Sequence, residues 1–137
     1  VPGAPSTTLV VAPRFAPRDF ARFHDFVVWL EEEQFGRALE HDDGAPLGDA
    51  VAVAGFHRRW AFGGLDDDAG LHWEKRSPHA TVSLIRAADI EGALAQETTA
   101  KIGEVNAETL TRVGGPALAK LCRERVLRDA TGDEPKP

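Results

Sequence analysis

Hydrophobic positions along the chain fall into two rhythms. Thr7 to Val11 is a β-branched run between Pro5 and Pro13, a short strand signal. Ala16-Pro17-Arg18-Asp19 then opens a helix, with proline suited to the first turn. Phe20, Phe23, Val27 and Leu30 recur every three or four residues and trace one helical face. Phe26, Val28 and Trp29 widen that stripe, and Glu31-Glu32-Glu33 return it to solvent. Phe35 and Leu39 extend the pattern until Asp42-Asp43-Gly44-Ala45-Pro46 stops it. Ala50 to Ala54 alternates valine with alanine as a strand, and Gly55 marks a bulge or a close backbone approach.

A period of two returns in Phe56-His57-Arg58-Arg59-Trp60-Ala61-Phe62 and in Leu71-His72-Trp73-Glu74-Lys75, with turn formers from Gly63 to Gly70 between them. This predicts a β-hairpin. Pairing Phe62 with Leu71 sets Trp60 against Trp73 and Arg59 against Glu74, so apolar meets apolar and opposite charges meet. Phe56, Trp60, Phe62, Leu71 and Trp73 then face the core, and the open face carries His57, Arg59, His72 and Glu74. Ala80 to Ile85 is a further strand, with Val82 and Leu84 turned to the core.

From Asp89, a candidate N-cap, the period becomes helical through Ile90, Leu94, Ile102, Val105, Leu110 and Val113. Gly103 is expected to divide this stretch, and Gly114-Gly115-Pro116 to break it. A last helix is predicted from Pro116 to Arg128, with Leu118, Leu121, Cys122, Val126 and Leu127 inward. The expected fold is α+β: an antiparallel sheet of four to five strands with helices packed on one face, in the order β-α-β-β-β-β-α-α. Residues 1–130 form the single domain of this reading, and residues 131–137 a flexible tail.

Composition narrows the chemistry. The 137 residues carry a net charge of -6, with a pI of about 5.3, which disfavours coating nucleic acid or anionic lipid. No apolar run approaches the roughly 20 residues that cross a bilayer, so no membrane partner is expected. The one cysteine, Cys122, forms no intrachain disulfide, which fits a reducing compartment, and the expected location is cytoplasmic. Positive charge is concentrated late: Arg112, Lys120, Arg123, Arg125 and Arg128 lie in a segment whose one acid is Glu124. The dinucleotide, P-loop, zinc-protease, hydrolase-elbow and paired-cysteine signatures are all missing. No cofactor is expected.

Three chemistries bear on the hairpin. His57, His72 and Glu74 share its open face, but pairing places the two histidines roughly 13 Å apart along the strands, too far for one metal, so no metal site is expected. Asp66-Asp67-Asp68 lacks the alternating spacing of a calcium loop. Arg58, Arg59, Lys75 and Arg76, with Arg86 nearby, crowd cations at the open end, where an external anion would offset their repulsion. Leu110 to Leu121 resembles the helix-hairpin-helix motif, but adjacent glycines replace its glycine–apolar–glycine turn, so a plain helix break is expected instead.

The sequence therefore points to a small non-catalytic binding or assembly module acting through protein association, by an exposed sheet face or edge. A homodimer is the expected assembly. One alternative is anion or nucleic-acid binding through Arg58, Arg59, Lys75, Arg76 and Arg86, assisted by the last helix. The other is a small enzyme with His57 or His72 as acid/base beside Glu74.

Overall fold

The computed structural model describes residues 7–35, 51–94 and 98–126. Among them, three strands form one antiparallel sheet in the spatial order β1-β3-β2: β1 is Thr7–Ala12, β2 is Val51–Phe56 and β3 is Ala80–Arg86. Both outer strands run antiparallel to β3, so they are parallel to each other with β3 inserted between them. Helix α1, Phe20–Trp29, lies in the connection that crosses from β1 towards β2. Asp19 caps it: the Arg22 amide donates to the Asp19 carboxylate at 3.0 Å. A π-helical turn, Leu30–Phe35, continues it. The expected extension to Leu39, the stop at 42–46 and the tail at 131–137 lie outside the described residues.

The register puts Val10, Val82 and Gly55 in one cross-strand row and Thr8, Leu84 and Val53 in the next, on the same face. Helix α1 lies across this face. A Cβ added at Gly55 would sit 2.9 Å from Val27 Cγ2 and 3.2 Å from Phe23 Cε1. The ladder runs unbroken through Gly55, so the glycine serves close approach rather than a bulge. Ala16, Phe23, Val27, Ala80 and Val82 are the buried centre, ringed by Phe15, Phe20, Phe26, Leu30, Trp60 and others partly buried.

Helix α2, Ala87–Leu94, follows β3 directly, and Asp89 sits in its first turn rather than before it. There Asp89 Oδ2 accepts from Arg86 Nε at 3.0 Å. Helix α3, Thr98–Val113, runs through Gly103 without interruption, contrary to the expected division. Gly114, at φ 78, makes the break that was expected, and α4, Gly115–Leu121, starts with proline in its first turn. A π-helical turn, Cys122–Val126, ends the described chain.

The main correction concerns the hairpin. Residues 57–69 form irregular turns, and Gly70–Glu74 is a short 3-10 helix. The sheet has three strands among the described residues, not four or five. The expected pairs do not form. Trp60 packs edge-on against Phe20 and Phe62, Trp73 carries Arg76 over its ring, and Arg59 Nη1 donates to Arg18 O at 2.9 Å. Only one ladder-like link survives, from His57 N to Lys75 O at 3.0 Å. Other amides bond within their own loop, as in Trp60 N to His57 O at 2.9 Å and Ala69 N to Asp66 O at 2.9 Å.

The helices also divide differently from expectation. Helix α1 covers the sheet, whereas α3 and α4 pack on the Gly70–Glu74 segment. Backbone meets backbone there. The Gly115 amide donates to Asp68 O at 3.1 Å, and a Cβ at Gly115 would collide with Asp68 main-chain atoms. A Cβ at Gly70 would likewise collide with the Leu110 carbonyl. Neither carbonyl can yield without moving its chain. Gly70→Ala and Gly115→Ala should each destabilise the protein by roughly 1–3 kcal/mol, seen as a lower urea midpoint. Gly63→Ala, which meets open space, should stay within about 0.5 kcal/mol of the parent.

Candidate functional site

An irregular segment that enters a protein interior must still pair its main-chain polar groups. Two histidines do this here. His57 is 0% exposed and His72 is 1% exposed. The Arg59 amide donates to His57 Nδ1 at 3.2 Å, and His57 Nε2 lies 2.9 Å from Ala16 O. The Phe62 amide donates to His72 Nδ1 at 3.1 Å, and His72 Nε2 lies 2.9 Å from Asp66 O. Each Nδ1 accepts, so each Nε2 carries the hydrogen and donates it, which assigns the neutral Nε2–H tautomer to both rings. Phe20 and Phe23 stack on His57, with centroids at 5.8 and 5.1 Å. Ala16, at φ 43, holds a left-handed conformation unusual for alanine, and its carbonyl is the one that His57 grips.

These contacts relocate the residues expected on an open sheet face. His57 and His72 are internal braces, Arg59 is tied to Arg18, and Glu74 is exposed. Among the described residues, no group of three or more histidine, cysteine, aspartate or glutamate side chains is placed to hold a metal ion.

The five cations expected to act together are also separated. Lys75 Nζ lies over the rings of Phe56 and Trp60, at 5.0 and 5.7 Å. Arg86 bonds Asp89 at 3.0 and 3.4 Å. Of the five, Arg58 and Arg76 line one cleft, and two arginines of the last helical turn join them there. The four line a cleft of about 540 Å³. One wall is Arg58 with Trp73, Arg76, Ser77 and Pro78; the other is Leu118, Leu121, Cys122, Arg123, Arg125 and Val126. No carboxylate is among its described lining residues.

Arg76 is the best-anchored of the four. Its Nε donates to Trp60 O at 3.1 Å, and its guanidinium carbon lies 5.1 Å from the Trp73 ring centroid. Partial burial strips water from the guanidinium and lowers its pKa from the usual arginine value. An anion beside it would replace that lost solvation. Opposite, Lys120 faces Glu124 at 3.8 Å along the helix, with both side chains largely exposed, so Arg123 and Arg125 are the cations this element gives to the cleft. The basic run after Leu110 was visible in the sequence; its placement opposite Arg58 and Arg76 depends on the glycine contacts at 70 and 115, which leave no local periodicity.

What emerges is a small mixed helix-and-strand protein with a cationic cleft between the segment that precedes β3 and the last helical turns. Residues 2–120 match the model of the family described as protein of unknown function (DUF1415), and the chain belongs to that family. No curated protein and no solved structure matches it.

The brace makes a direct prediction. His72→Ala leaves the Phe62 amide and the Asp66 carbonyl without their ring partners, each at a cost on the order of 1–3 kcal/mol. Chemical denaturation should show a loss of that size for His72→Ala and for His57→Ala. His79→Ala, at an exposed position, should remain within about 0.5 kcal/mol of the parent.

Proposed function

We propose that this protein is a non-catalytic binding module and that its ligand is an anion held in the arginine-lined cleft. The observation that carries this reading is the convergence of Arg58, Arg76, Arg123 and Arg125, from three separate stretches of chain, with no carboxylate among the lining. Four like charges repel one another unless something offsets them, and arginine suits planar, bidentate recognition of carboxylate or phosphate oxygens. The net charge of -6 favours a small anion over a polynucleotide, whose phosphates would meet an acidic surface beyond the cleft. An acid/base role for His57 or His72 would require a ring nitrogen to leave its main-chain partner. Cytoplasmic residence fits the acidic composition and the single cysteine.

A second reading concerns assembly. Strand β1 is an outer strand whose Leu9, Val10 and Val11 are 61%, 50% and 52% exposed. A protein partner, or a second copy in a homodimer, would pair along that edge. Light scattering should then give the mass of a dimer that Leu9→Lys returns to monomer; a monomeric parent contradicts homodimerisation.

For the anion reading, millimolar inorganic pyrophosphate should raise Tm by about 2–5 °C, because a ligand bound only by the folded state stabilises it. The double variant Arg123→Glu with Arg125→Glu, at exposed positions, should keep its fold and lose the shift. An unchanged shift in that variant, or none in the parent, contradicts the proposal.

A further inference from the structure

Resting on the anion-binding reading of this cleft, we infer the class of its ligand: an amphipathic organic anion, with one carboxylate, sulfonate or phosphate head on an apolar body. A site for a bare inorganic ion would need little more than its cations. This cleft holds far more room than such an ion fills, and its volume of about 540 Å³ lies in the range of roughly 300–1,000 Å³ typical of organic ligands. Apolar side chains lie among the arginines. Leu118, Leu121 and Val126 line one wall, and the Trp73 ring with Pro78 lines the other.

Leu121 and Val126 are each 47% exposed, so the cleft leaves apolar surface in water that an inorganic anion could not cover. A hydrocarbon or aromatic body would cover it, while the head displaced water beside Arg76, whose guanidinium is already partly desolvated. The two requirements meet in one molecule: an anionic head to accept from the arginine guanidinium groups, and apolar area to seat against leucine, valine and tryptophan. A long polyanion meets the first alone, and its flanking charges would face a chain of net charge -6.

Cys122 makes the inference testable in place. It is the only cysteine in the chain, it is partly buried, and it lines the cleft. Alkylation by iodoacetamide, followed by mass spectrometry, therefore reports occupancy at one known position. The probes are 8-anilinonaphthalene-1-sulfonate, its uncharged counterpart N-phenyl-1-naphthylamine, and inorganic pyrophosphate.

The sulfonate should bind saturably, with a Kd about tenfold or more below that of the uncharged dye, and it should slow Cys122 alkylation in proportion to occupancy. Arg123→Gln with Arg125→Gln should weaken the sulfonate about tenfold. Leu121→Ser, at an exposed position, should weaken the sulfonate by roughly threefold or more, through lost apolar contact, and leave pyrophosphate unchanged. Circular dichroism of each variant separates loss of the site from loss of the fold. If the uncharged dye binds as tightly as the sulfonate, the head group is irrelevant and the inference fails. If pyrophosphate protects Cys122 better than the sulfonate does, and Leu121→Ser changes nothing, the anion reading stands and the amphipathic class is wrong. If no probe protects Cys122, both fall together.

Discussion

Two neutral imidazoles hold the segment between β2 and β3 inside the protein. That segment has little regular structure, so most of its amides and carbonyls find no ladder to join. Burying them unpaired would cost on the order of 1–3 kcal/mol each. His57 and His72 meet the need with the same pattern twice over: Nδ1 accepts an amide, two residues onward in one case and ten residues back in the other, and Nε2 donates to a carbonyl, that of Ala16 in one case and of Asp66 in the other. The His57 bond to Ala16 also ties the segment to the turn before α1, and so to the sheet's own core. Arg58 and Arg76 owe their positions to this arrangement, since each lies next to residues that the braces fix.

The helical half attaches to that braced segment rather than to the sheet. Where Gly70 meets the Leu110 carbonyl and Gly115 meets Asp68, main chain touches main chain with no side chain between. Contacts this close are unforgiving, because neither partner can change rotamer to relieve an added atom. They fix α4 and its π-helical end against residues 73–78, and the cleft is the space left between them. The sequence path to the cleft thus runs through hydrogen-bonding histidines, then glycine packing, then the cations these bring together.

Local pattern revealed the parts of the fold that local physics controls. The stripe of Phe20, Phe23, Val27 and Leu30 does face the core, Gly55 does mark a close approach, and the Gly114-Gly115-Pro116 break falls between α3 and α4. The hairpin was misleading because Phe56, Trp60, Phe62, Leu71 and Trp73 are only partly buried, and the fully buried members of the two runs are His57 and His72, which lie between them. Nothing in a period of two records whether amides meet across a ladder. The Arg59–Glu74 match came from the assumed register alone, and Arg59 bonds Arg18 instead. At the site, Arg58, Arg76 and the basic last helix were each legible as cations. Their meeting was not, because it rests on contacts between residues some 40 positions apart, with glycine on one side and a carbonyl on the other.

The braces can be observed directly. Long-range proton–nitrogen correlation spectra of the five imidazoles report tautomer and exchange for each ring. His57 and His72 should each show one protonated and one bare nitrogen, with the hydrogen on Nε2 and slow exchange with solvent. Averaged, rapidly exchanging nitrogens at either ring would mean that the segment between β2 and β3 is not held as described, and the cleft would lose the wall that carries Arg58 and Arg76.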